Sequence, residues 1–92
     1  MRKEVASQLA DDLESLRAGN LSEQEFRARY QSDVSLSVIW PNLEHYLADI
    51  DIRKRDAAYR SMQNAEMKNL VRLLRVGASD AELATVNFLR QS

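Results

Sequence analysis

The chain has 92 residues, enough for one domain with a modest core. Its 13 basic and 14 acidic side chains nearly cancel, so it lacks the marked basic excess of a general nucleic-acid binder. Cysteine is absent, which excludes a disulfide scaffold, a thiolate metal site and a cysteine nucleophile together. Two glycines and one proline are too few to supply the turns of a sheet, so the composition predicts an all-α fold. The expected architecture is a compact antiparallel bundle of about four to five helices, one helical domain over residues 1–92. The opening "MRKEVASQLADD" is amphipathic from its start, unlike a signal peptide, and no apolar run approaches the length of a membrane span. A soluble cytoplasmic protein is the expectation.

Val5, Leu9, Leu13 and Leu16 recur at helical spacing and predict a first helix over Arg2 to Ala18, closed by Gly19. In "NLSEQEF", Ser22 and Glu25 occupy capping-box positions flanked by Leu21 and Phe26 as a hydrophobic staple. A second helix therefore starts at Ser22, reaches about Tyr30, buries Phe26 and Tyr30, and folds back on the first. From Gln31 to Trp40 the pattern turns to alternation, with Val34, Leu36, Val38 and Trp40. A lone strand has no partner, so this reads as a loop or helical turn pinned to the core by those side chains. Pro41 suits the first position of a new helix.

Leu43, Tyr46, Leu47 and Ile50 share one helical face, whereas Tyr59, Met62, Leu70, Leu73 and Leu74 share another. The two faces are rotated apart, so either one long helix meets different partners along its length or, the favoured reading, the chain breaks near Asp49–Ile52 with Asp51 as candidate N-cap and a long helix to about Val76. Glu66 falls inside the apolar arc of that helix with Gln63 and Asn69 on its borders. It reads either as a rim residue or as part of a polar patch for a partner. In "GASDAEL" the stop–start grammar returns: Gly77 closes the helix, and Ser79 with Glu82 opens a last one to about Leu89.

The stretch "HYLADIDIRKRDAAYR" interleaves acids and bases. Asp49, Asp51 and Asp56 each precede an arginine by four residues, the favourable order for helix-surface pairs worth about 0.2–0.5 kcal/mol each. Self-lacing of a solvated helix is therefore one sufficient reading. A calcium loop counted from Asp49 fails, because its sixth and twelfth positions are Lys54 and Arg60. His45, the single histidine, has Asp49 four residues on, but no serine elbow or glycine-rich turn supplies a nucleophile and oxyanion donor. Metal-ligand spacing is not recognisable, and no cofactor is expected. Arg53, Lys54 and Arg55 fan around the helix beside acids, which argues for a solvated face rather than a nucleic-acid groove binder. Trp40 suits the core, although aromatic side chains also serve partner surfaces.

Together, "LRAGNLSEQEFRARY" and "IWPNLEHYLADIDIRKRD" resemble small bacterial immunity proteins of the colicin D type, through Leu16, Gly19, Ser22, Glu25, Phe26 and Tyr30. The resemblance covers the first half and, more loosely, the "HYLADIDIR" segment, and the C-terminal third has no counterpart in it. It implies a non-enzymatic protein that neutralises a cognate toxin, commonly a nuclease, by occluding its active site. A nuclease cleft is basic, so a blocker should present carboxylates. Glu44, Asp49, Asp51 and Asp56 are the expected partner-binding residues, with His45 and Trp40 at the margin. The interleaved arginines and a pI near 5.8 weigh against a pure nucleic-acid mimic. The competing reading is a structural or regulatory module that self-associates through a face of the long helix.

Overall fold

The computed structural model describes residues 1–88. Helix α1, Lys3–Ala18, buries Ala6, Leu9, Ala10 and Leu13. The buried stripe thus joins Leu9 and Leu13 with Ala6 and Ala10, while Val5 and Leu16 pack at its edge. Gly19 ends the helix at φ +82°, in the left-handed region that a glycine enters without steric cost, and its N–H donates to the Leu16 carbonyl. After the turn, Ser22 accepts from the Glu25 N–H at 3.1 Å and opens α2, Glu23–Tyr30. Phe26 and Tyr30 are buried as expected. Asp12 of α1 holds α2 in place by accepting from Tyr30 and from Arg29.

The segment after α2 is a 3₁₀ turn, Val34–Leu36, capped by Asp33. The alternation misassigned its inward side chains. Leu36 and Ile39 are buried, whereas Val34 and Val38 point outward. A 3₁₀ helix repeats every three residues, so positions 36 and 39 share a face and 34 and 38 do not join them. Helix α3, Trp40–Ala48, follows with Pro41 in its first turn and buries Leu43, Tyr46 and Leu47.

The expected break is present, and a second one follows it. Helix α4, Ile50–Arg55, has no buried residue, and Ile50 is exposed rather than sharing the buried face of α3. Asp56, not Asp51, caps the long helix α5, Ala57–Arg75, by accepting from the Tyr59 N–H at 3.0 Å. Helix α5 packs along α1 as the spine of the molecule. Its apolar face carries Tyr59, Met67, Leu70, Val71, Leu73 and Leu74. Gln63, expected at the border of that face, sits fully buried at its centre.

Gly77, at φ +73°, ends the run, and Ser79 with Glu82 forms a complete capping box for α6, Asp80–Leu83. This helix is shorter than expected. Thr85, Val86 and Asn87 are poor helix formers, and the Thr85 hydroxyl turns back to the Glu82 carbonyl at 2.6 Å. The chain then runs irregularly through Val86 and Phe88, both buried, while Leu89 lies outside the described residues. No strand occurs among the described residues, and the Cα radius of gyration of 12.5 Å is that of one compact domain of this length. No described helix is long and apolar enough to cross a membrane.

Candidate functional site

The charged stretch folds into the junction of α3, α4 and α5, and much of it turns inward. The Asp49 carboxylate accepts from the Tyr59 hydroxyl at 2.6 Å and from Gln63 Nε2 at 3.0 Å. Gln63 Nε2 also donates to the Phe88 carbonyl at 3.0 Å, and its Oε1 accepts from Arg53 at 2.7 Å. Arg53 donates in addition to the Tyr46 carbonyl and lies over the Tyr46 ring, 3.9 Å from its centroid. The hydroxyl of Tyr59 has one proton, and the short bond to Asp49 takes it rather than the 3.4 Å approach to the Phe88 carbonyl. That hydrogen bond, with burial adding to it, raises the Tyr59 pKa above the usual tyrosine value.

This arrangement corrects the picture of a water-facing ladder. Asp49 and Arg53, expected to pair with each other on the surface, both bind Gln63 instead. Arg60 donates to the Arg53 carbonyl at 3.2 Å, and Arg55 reaches the backbone carbonyl of Asp51 at 3.4 Å rather than its carboxylate. Asp49 is also drawn away from His45, which is exposed. Glu66 is half-buried at the rim of the apolar face, and its carboxylate accepts from the Asn87 N–H at 3.3 Å. Every buried polar side-chain atom among the described residues has a partner, so the junction is a closed structural network.

Of the six residues expected to meet a partner, three share one surface. Pro41, Glu44 and His45 follow one another at helical spacing on the outer side of α3, next to the half-buried Trp40. Glu44 pairs with Arg27 at 3.0 Å, and Trp40 stacks on Phe26 with ring centroids 6.3 Å apart. Asp51 stands exposed on α4, away from this helix, and Asp49 and Asp56 serve the network and the cap.

The same surface contains what the alternation concealed. Val34, 85% exposed, lines a shallow depression with Asp33, Ser37, Trp40 and Pro41, and Val38, two residues after the 3₁₀ turn, is 41% exposed. The turn is held by Asp33, whose carboxylate accepts from the Ser35 hydroxyl at 2.7 Å and the Ser35 N–H at 3.0 Å. The side-chain bond first, then the backbone bond, keeps the Asp33 carboxyl below its ordinary pKa. Among the described residues no group of three or more His, Cys, Asp or Glu is placed to hold a metal ion.

Comparison with protein-family models, with curated proteins and with solved structures finds no significant match to this chain.

Proposed function

We propose that this chain is a non-enzymatic protein-binding module of the immunity type, which neutralises a bacterial toxin by covering its active site. The observation that supports a docking role is the exposure of Val34, in a 3₁₀ turn held by the Asp33–Ser35 hydrogen bonds and beside Trp40 and Pro41, with Val38 exposed two residues after that turn. Aliphatic and aromatic surface fixed in place before contact costs little ordering on binding. Glu44 and His45, one turn further along α3, give this face a polar rim. Asp51 is left as a peripheral contact at most.

Self-association through the long helix has less support. The water-facing positions Ala58, Ser61, Ala65, Lys68 and Arg72 of α5 offer no large apolar side chain. A monomer by light scattering is the expected state.

The test is calorimetric titration against the product of the neighbouring reading frame, with that product's toxic activity followed in parallel. We expect a one-to-one complex that abolishes the activity. Val34→Asp combined with Val38→Asp should weaken it about a hundredfold, the scale of an interface hot spot, with an unchanged thermal melt. Undiminished affinity in the double variant would remove this face, and full toxin activity in the complex would remove the inhibitor reading.

A further inference from the structure

A second surface has a different chemistry. Between the end of α1, α3, α4 and the start of α5 lies a cleft of about 350 Å³. Its wall includes Arg17, Arg53, Lys54 and Arg60, together with Asn64, and no carboxylate of the described residues lines it. Leu16, Tyr46 and Ile50 supply an apolar side to the same cavity. The cations differ in how they are employed. Arg53 is fixed by Gln63 and the Tyr46 carbonyl, and Arg60 donates one nitrogen to the Arg53 carbonyl. Arg17 and Lys54 make no hydrogen bond or ion pair among the described residues, so their full donor capacity faces the cleft and solvent.

The sequence sets an acid close to each of these bases, which suggests mutual neutralisation. The fold undoes part of that pairing by turning Asp49 into the junction, where Tyr59 and Gln63 hold it. Cations brought together in a concave site with low-dielectric walls focus a positive potential larger than an almost neutral chain implies.

We propose that this cleft binds a small organic phosphate, a monoester of about nucleoside monophosphate size. Arg17, Lys54 and the remaining nitrogens of Arg60 would hold the phosphate, and Leu16 and Ile50 the organic part. The dimensions fit, since the volume lies at the lower end of small-ligand sites. The amphipathic lining fits too: the cations answer a phosphate, and the apolar surface of Leu16 and Ile50 beside them answers an organic part.

The experiment is titration of the ¹⁵N-labelled full chain with adenosine monophosphate, adenosine, inorganic phosphate and a short single-stranded oligonucleotide. Amide and guanidinium shifts are read at each step. Adenosine monophosphate should shift Arg17, Lys54 and Arg60 together with Ile50, more tightly than adenosine or phosphate alone, and the binding should weaken as salt is raised. Arg17→Gln and Lys54→Gln remove groups with no hydrogen bond or ion pair among the described residues, so both variants should keep the wild-type spectrum elsewhere. Each should bind about tenfold more weakly, the scale of one lost charge-assisted contact. Equal affinity in the double variant, shifts centred elsewhere, or equal binding of adenosine and its phosphate ester would overturn the assignment. Binding of the oligonucleotide with the monophosphate silent would also overturn it.

Discussion

The Tyr30 hydroxyl donates a hydrogen bond to a carboxylate that is itself almost out of water. The bond to Asp12 is 2.5 Å, and Arg29 at 3.0 Å and Gln8 at 3.2 Å complete the shell of that carboxylate. Burial first, and then the bond to Asp12, raise the Tyr30 pKa above its ordinary value of 10.0. Below pH 10 the folded and unfolded chains both keep this proton, and the stabilisation is fully present. As pH rises further, the unfolded chain releases it while the folded chain holds it, so the unfolded state gains and stability is lost. Urea melts across the alkaline range should therefore show a steeper decline for the wild type than for Tyr30→Phe. At neutral pH the same variant should lose about 2 kcal/mol, the worth of a hydrogen bond to a charged group. Parallel curves above pH 10 would show that Tyr30 ionises alike in both states. Asp12 carried a faint sequence signal, a polar residue beside Leu9 and Leu13 in a helix that was otherwise apolar on that side. Its partners on α2 lie 17 and 18 residues away, beyond the reach of local spacing.

Helix ends decide most of what happens between residues 49 and 57. Asp56 adopts φ −121° and ψ 106°, the extended geometry of an N-cap, and covers an orphan donor of α5. Asp56→Ala should cost about 1 kcal/mol of unfolding free energy by chemical denaturation, while Asp51→Ala, with no cap to lose, should stay within about 0.5 kcal/mol of wild type. Equal losses would return the cap to Asp51. The Ser22 and Ser79 starts were legible because a glutamate follows each by three residues, the reciprocal signature of a box. Tyr59 stands at the corresponding place after Asp56, so the sequence there carries half the signal, and Asp51 competes for it on equal terms. The sequence allows a helical turn after α2, but which of its side chains turn inward was illegible for another reason: three residues are too few to tell a period of two from a period of three. The exposed apolar surface proposed for docking escaped notice with it, because Val34 and Val38 looked like core. The closed network escaped because Asp49 had a local arginine to choose and took Tyr59 and Gln63 from the next helix instead.

At the scale of the whole molecule, α1 and α5 form the spine and the segment 86–88 closes it. Phe88 is fully buried and meets the Tyr46 ring with centroids 5.2 Å apart, while its carbonyl takes the Gln63 amide. Phe88→Ala should cost about 3–5 kcal/mol, a large part of the roughly 5–15 kcal/mol of an ordinary domain. Its thermal midpoint by circular dichroism should fall by more than 10 °C, with most of the loss recovered in Phe88→Leu. A midpoint within 2–3 °C of wild type would mean that the closing segment is dispensable. The all-α class and most helix starts could be read from composition and caps, but this closure could not, because nothing local in "ATVNF" distinguishes a sealing segment from a fraying end. The two proposed surfaces share no residue: the docking face is built on the 3₁₀ turn and α3, the cleft on α1, α4 and α5 with Tyr46.

The buried amide of Gln63 is satisfied from both sides only when residue 88 arrives. During synthesis, then, the chain through residue 88 must leave the ribosome before the hydrophobic centre can shut. Until that moment the earlier helices remain open to chaperones and proteases.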